Sequence, residues 1–384
     1  MQKKTISVLV FDLSDNALVR TYPIVKVLSR RYNVEIIGII FGNEIYNPYQ
    51  NEFNFKIISR NKKKSKVISY FLMVRDIIGS IKGDIIYAFK PKFFSFGVGL
   101  LAKFFYKIPL VLDIEDLETA NWMGKSFVSK IRLAFSRFDS ENEFLGYAVE
   151  KFVPSADEII VVSKFLQNKF GGTRIVHGVD TNLFNPNDFS KQDARCKLGL
   201  NHEDKYILFS GMPREHKGIE ELVNAVLNIN HEDLKILIVG GDIHHKYYKK
   251  LLSIGGGFIK AVGPRPHSEM PSFLAASDMV VLPQRKTLFA KAQVPAKVFE
   301  AMAMGKPIIS TSISDLPEIL DRCGIVIEPN LDTTNLENQI KILVNNPTVS
   351  QSLGLRAREK CVSQYSWDSM GPKLHAIFNR HLNK

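Results

Sequence analysis

The chain has 384 residues, 45% of them hydrophobic and 23% charged, and carries a net charge of +12. That length suits two domains of about 150–200 residues, and the apolar share excludes a disordered chain. The three cysteines, Cys196, Cys323 and Cys361, lack any CxxC spacing; this argues against a disulfide framework or a thiolate metal site and reads as buried or idle thiols in a reducing compartment.

The first residues lead straight into the apolar run Ile6 to Phe11, which predicts a core strand and no cleavable leader. No apolar run reaches the ~18 residues of a membrane span. The nearest, Phe93 to Tyr106, is cut by Lys103. The positive charge is heavier in the first half and suits phosphate ligands, an anionic membrane surface or nucleic acid.

In chain order, strands are predicted at 5–11, 34–41, 55–58, 84–88, 109–113, 158–162 and 174–177. Helices lie between them, notably 17–31, 65–82, 127–152 and 163–169. The second half repeats the theme, with strands at 205–210, 234–240, 258–262, 278–282, 307–310 and 324–327. Its helices fall near 218–229, 244–253, 268–276, 295–304, 333–345 and 348–363. This alternation predicts an α/β protein with parallel sheets and helices on both faces. Asn185-Pro186-Asn187-Asp188 is turn chemistry. It divides two Rossmann-like domains, 1–185 and 186–365. Ser366 as N-cap and Asp368 in the first turn open a last helix, 366–384, long enough to cross back to the first domain.

Two segments carry the strongest chemistry. Ser210-Gly211-Met212-Pro213-Arg214-Glu215-His216-Lys217-Gly218 joins a strand to a helix. Lys217 would stand at the mouth of that helix beside partly positive N–H groups, an anion site, and Arg214 offers a second, planar cation. The alternative is a pair of solvated loop charges. In Pro295 to Ser310, a proline suits the first helical turn, and Lys297 and Glu300 share one helical face. Taken alone, that spacing reads equally as a weak surface ion pair. Together the segments put cations and a carboxylate at the carboxyl edge of one parallel sheet, where open α/β sheets bind ligands. A cationic clamp for a diphosphate and a carboxylate for ribose hydroxyls would suit a sugar nucleotide.

Three further stretches have open readings. His177, in His177-Gly178-Val179-Asp180, is a satisfied loop histidine or a cleft residue. The carboxylates of Asp113, Glu115, Asp116 and Glu118 follow a strand end; they could bind a metal, position an acceptor hydroxyl or cap a helix. No histidine accompanies them, so no metal site is expected. Lys90 to Lys107 interleaves cations and aromatics, as an amphipathic core helix, a membrane-surface helix or a nucleic-acid contact would.

With these residues in view, the chain resembles the family-4 glycosyltransferases of the GT-B fold over nearly its whole length. The resemblance rests on Ile160 to Leu166, His177 to Pro186, Gly211 to Gly218, Val262-Gly263-Pro264-Arg265, Ala276 to Pro283, Phe299 to Pro307 and Tyr365-Ser366-Trp367, in that order and spacing. It implies two Rossmann-like domains facing each other across a cleft, with the C-terminal helix crossing back. It also implies retaining transfer of a sugar from a nucleotide-sugar donor to an acceptor hydroxyl. Lys217 would hold the diphosphate, Glu300 the ribose, and Val262, Gly263 and Arg265 the base. Gly211, Val294 and Lys297 complete the expected donor site. Arg214 and Asp116 join Lys217 and Glu300 as expected catalytic residues. Fixed cations at the diphosphate would stabilise the charge that builds as the leaving group departs. No resident cofactor or metal is expected.

The chain departs from the family pattern at three places. Met212 stands where arginine often follows the glycine, and Arg214 is the nearest substitute. Ala292 occupies the first position of the Glu-x7-Glu pair that Glu300 closes, with Lys291 and Gln293 beside it. The glycine-rich loop after the first strand is replaced by Asp12-Leu13-Ser14-Asp15-Asn16, and Glu115 replaces a histidine before Asp116.

The resulting expectation is an enzyme of cell-surface polysaccharide or glycolipid synthesis. It would be cytoplasmic and peripheral on the inner membrane face, with a lipid-linked or saccharide acceptor, an anionic membrane surface as partner and no nucleic acid. The departures keep open a catalytically inactive GT-B scaffold, and a sugar-nucleotide epimerase is a third reading.

Overall fold

The computed structural model describes residues 3–14, 17–41, 44–46, 53–59, 66–119 and 143–382. The chain forms two compact units. One comprises the residues up to Val176 with those from Met370 onward; the other is His177–Ser369. Each is built on its own parallel sheet, the α/β class that the alternating pattern predicts.

The first unit's strands are β1 (Thr5–Val10), β2 (Asn33–Ile40), β3 (Phe55–Ser59), β4 (Ile85–Phe89), β5 (Leu110–Ile114), β6 (Glu158–Val161) and β7 (Thr173–Arg174). Their order in the sheet is β3-β2-β1-β4-β5-β6-β7. β1 and β4 pair in parallel, Ile6 opposite Ile85, and the order runs outward from that pair in both directions. Every residue of β4 is buried, which is why it reads as a continuous apolar run without alternation. Of the predicted helix 127–152, Glu143–Glu150 is helical and residues 127–142 lie outside the described residues.

Helix Leu18–Ser29 buries Arg20 completely. Its guanidinium lies 3.2 Å from Asp113 Oδ2 and donates to the Ile175 carbonyl at 2.7 Å. The Tyr87 hydroxyl donates to the same carboxylate at 2.6 Å. Asp113 is thus a core anchor of this unit. Burial raises its pKa, and Arg20 and Tyr87 oppose that rise.

The second unit's strands are β8 (Lys205–Ser210), β9 (Leu234–Val239), β10 (Ile259–Val262), β11 (Met279–Leu282), β12 (Ile308–Thr311) and β13 (Ile325–Ile327), ordered β10-β9-β8-β11-β12-β13. The order reverses between β8 and β11, the crevice position at which such sheets bind ligands. Ile207, Phe209, Ile236, Ile238 and Val281 form the core with Leu222 and Val226 of helix Ile219–Ile229.

Residues 177–185, placed in the first domain from sequence, belong to the second unit. The Val179 N–H donates to the Tyr365 carbonyl at 3.0 Å, and Arg358 donates to the Thr181 and Phe184 carbonyls at 3.0 and 2.6 Å. The Asn185–Asp188 turn follows these tethers, so it marks a bend inside the second unit. Helix Trp367–Leu382 opens with Ser366 Oγ accepting from the Ser369 N–H, the cap expected from sequence. From Met370 its residues are part of the first unit: Tyr32 donates to Asn379 at 2.7 Å, and Phe378 is buried against Tyr87.

Candidate functional site

Three loops at the carboxyl edge of the second sheet pack around glycines with positive φ. β8 ends at Ser210, and Gly211 (φ +102°) donates its N–H to the Val239 carbonyl. A Cβ on Gly240, after β9, would lie 3.2 Å from the Gly211 backbone. A Cβ on Gly218 would stand 1.7 Å from the Pro283 carbonyl oxygen, after β11. Gly218 is left-handed (φ +68°) and separates a 3-10 turn, Glu215–Lys217, from helix Ile219–Ile229. The helix predicted from residue 218 is therefore preceded by a tighter turn, and that turn carries Lys217.

Lys217 Nζ donates to the Met212 carbonyl at 2.8 Å, curling the loop back over Gly211. Burial and the Arg214 charge bring its pKa down to about 8. Lys297, at the start of helix Lys297–Ala303, donates to the Ser210 carbonyl at 2.5 Å and lies 3.7 Å from the Phe209 ring centre. Its pKa is held well below the usual amine range by burial, then by Lys217, with Glu300 partly offsetting them. Neither lysine is ion-paired to a carboxylate among the described residues. His216 is driven down to about 4 by burial and the charges of Lys217, Arg214 and Lys297, so it is neutral at pH 7. Three cations crowd one turn, and a bound polyanion would relieve their mutual repulsion.

Lys297 and Glu300 do not form the surface ion pair that their spacing allowed. Glu300 Oε1 instead accepts from His267 Nε2 at 2.9 Å. The pair is largely sheltered, and Glu300 Oε2 takes no hydrogen bond among the described residues. β10 ends at Val262, whose carbonyl accepts from the Gly240 N–H. Space around Gly263 is open, while Arg265 is exposed with Glu269 4.0 Å away. Val294 is buried, and so is Ala292, at the end of helix Leu288–Ala292. Arg214 is exposed and rests its guanidinium on the Met212 sulfur at 3.3 Å. The second unit thus brings Gly211, Arg214, Lys217 and Lys297 to one turn, with Glu300 within electrostatic reach of Lys297.

Asp116 lies in the first unit, past the end of β5. It is buried and ion-paired with Lys90, which also lies 3.2 Å from Glu118 and 3.8 Å from Glu115. Lys92 holds Glu118 at 2.6 Å. Burial raises the Glu118 pKa, but Lys92 and Lys90 outweigh it and bring the group down to about 2. Glu115 is pushed up to about 8 by burial and Asp116. The carboxylates that followed one another in sequence are therefore divided between a core anchor (Asp113) and a lysine-bound cluster. His177 is buried, its ring centre 6.5 Å from that of Phe299.

Sequence reasoning missed His267 and Lys90. His267 is 33 residues from Glu300, and nothing local marks the pairing. Lys90 carried a local clue only in hindsight: a lysine just past a fully apolar strand, 26 residues before Asp116 in the carboxylate run.

Residues 204–346 match the family described as glycosyl transferases group 1. Over 340 residues the chain is 26% identical to an uncharacterized glycosyltransferase of Methanocaldococcus jannaschii, covering 84% of this chain and 85% of that one. HepE of Anabaena, solved in complex with UDP-glucose, superposes with a TM-score of 0.76 at 18% identity, over 98% of this chain and all of that one. Sucrose-phosphate synthase from Thermosynechococcus elongatus gives a TM-score of 0.75 at 17% identity, over 98% and 99% of the two chains. At such identities the structural likeness speaks for the fold. Residues 204–346 thus match the glycosyl transferases group 1, and the chain as a whole has the GT-B fold of glycosyltransferases.

Proposed function

We propose that the protein is a retaining glycosyltransferase that moves a hexosyl group from a nucleotide-sugar donor to an acceptor hydroxyl. The observation that carries this reading is the Gly211 turn, where Lys217 and Lys297 meet and neither is ion-paired to a carboxylate among the described residues. The donor diphosphate takes that place, Glu300 Oε2 accepts from the ribose, and the base lies along Val262, Gly263 and Arg265. Retention is supported by the resemblance to family-4 enzymes. As the diphosphate leaves, it gains charge in a site already cationic, so the lysines stabilise the transition state more than the bound donor. No resident metal or cofactor is part of this reading. Asp116, with the rest of its cluster, serves the acceptor side.

The test is release of nucleoside diphosphate from a panel of sugar nucleotides, UDP-glucose first, because that is what the HepE neighbour binds. Lys217→Ala and Glu300→Ala should each lower turnover by about 100-fold or more. Donor interconversion without an acceptor would favour the epimerase reading. Binding without turnover would favour an inactive scaffold, the reading that buried Ala292 and exposed Met212 support.

The same proposal places the enzyme at the anionic cytoplasmic face of a membrane, acting on a lipid-linked or saccharide acceptor in cell-surface polysaccharide or glycolipid synthesis. No described helix is long and apolar enough to cross a membrane. Helix Val98–Tyr106, however, exposes Leu101, Phe104, Phe105 and Tyr106, with Phe104 at 67% and Lys107 over its ring at 5.0 Å. Aromatics beside lysines suit an anionic lipid surface. Phe104→Ser with Phe105→Ser should abolish cosedimentation with vesicles rich in phosphatidylglycerol. Unchanged cosedimentation would remove this part of the proposal.

A further inference from the structure

We propose that His267 is the positioning residue of Glu300 and sets recognition of the donor's ribose hydroxyls. The inference rests on the donor reading above and deepens it. A glutamate carboxylate turns freely about its last torsion unless one oxygen is held. Here Nε2–H of His267 holds Oε1 at 2.9 Å, which leaves Oε2 as the acceptor for a hydroxyl pair.

The histidine is itself fixed. Its ring centre stands 5.3 Å from that of Phe184, which is fully buried. Arg358 holds the Phe184 carbonyl at 2.6 Å and the Ala303 carbonyl, at the end of the Glu300 helix, at 2.7 Å. One guanidinium therefore ties the support of His267 to the helix that carries Glu300. His267 also opens the 3-10 turn His267–Glu269, five residues beyond Val262. The segment that meets the base thus also orients the ribose carboxylate, and recognition of the two halves of the nucleoside is mechanically joined.

The experiment compares calorimetric affinities for UDP, GDP and ADP with those for their 2′,3′-dideoxy counterparts, and for pyrophosphate, in wild type, Glu300→Ala, His267→Ala and His267→Gln. The wild type should prefer the ribonucleotide by about tenfold or more, as loss of a charged hydrogen bond predicts. That preference should vanish in Glu300→Ala and fall severalfold in His267→Ala. It should recover in part in His267→Gln, whose amide can still donate. Pyrophosphate affinity should stay constant in both His267 variants, which a general disruption of the site would not allow.

An unchanged preference in His267→Ala, with the preference lost in Glu300→Ala, would overturn the inference and leave the donor reading intact. A ribonucleotide preference that survives Glu300→Ala, or no nucleotide binding by the wild type, would overturn both.

Discussion

Lys297 Nζ donates to the Ser210 carbonyl and sits over the Phe209 ring, 3.7 Å from its centre. An amine so placed has one neutral hydrogen bond and an aromatic face in exchange for its hydration. Its charge is therefore costly until an anion arrives. Lys297→Met keeps the stem and removes the charge. The variant should lose about tenfold in nucleoside diphosphate affinity while its unliganded melting temperature does not fall. Calorimetry and thermal melting read the two quantities separately.

Lys217 makes the site pH-sensitive. Its pKa is lowered to about 8 in the folded protein, against ~10.4 for an unfolded lysine. Between these values the unfolded chain holds a proton that the folded one has shed, so Lys217 adds stability as pH rises through that window. Diphosphate binding has the opposite dependence, because it needs the protonated amine. Affinity should decline above about pH 8, and binding at pH 8.5 should take up a fraction of a proton. Titrations in two buffers of different ionisation heat measure this uptake. Lys217→Arg should remove the share of this uptake that Lys217 contributes, leaving only that of Lys297, whose pKa is also lowered.

Gly218 and Gly171 share a left-handed backbone (φ +68° and +74°) but not their surroundings. A Cβ on Gly218 would strike the Pro283 carbonyl, whereas nothing lies within 4 Å of one on Gly171. Gly171→Ala should cost about 1 kcal/mol, the conformational part alone. Gly218→Ala should cost at least ~2 kcal/mol more and displace the Lys217 turn. Denaturant melts of the two variants make the comparison.

The Arg20–Asp113 pair predicts a different asymmetry. Both groups are fully buried, and Arg20 Nη1 has no hydrogen-bond partner among the described residues. Removing one charge strands the other, so Arg20→Met or Asp113→Leu should each destabilise by about 3–5 kcal/mol. The double variant should recover much of that loss. A double-mutant cycle by chemical denaturation tests this.

The sheets were legible because their strands are short apolar runs between helix-length amphipathic stretches, and β4 or β8 needs no distant partner to be read. The Gly211–Gly218 segment was legible for a similar reason: a strand, a glycine turn and a lysine lie within nine residues. What sequence could not show was pairing at a distance. Lys297 and Glu300 sit three apart, and their spacing alone allowed an ion pair; their partners are Ser210, at the end of β8, and His267, in the segment after β10. The Asp113–Glu118 run looked like one acidic cluster. Burial divides it, because Arg20 takes Asp113 while Lys90 and Lys92 take the others. Asn185-Pro186 looked like a boundary because turn chemistry is the same inside a unit as between two.

The central claim is that the Gly211 turn binds the diphosphate of a nucleotide sugar. Thermal melting of wild type and Lys217→Ala against a panel of nucleotide sugars and free nucleoside diphosphates tests it most directly, since a ligand that binds only the folded state raises the melting temperature. The predicted result is a clear rise for the wild type with one nucleotide family, largely lost in Lys217→Ala. No rise with any nucleotide at millimolar concentration, or an equal rise in the variant, would contradict it.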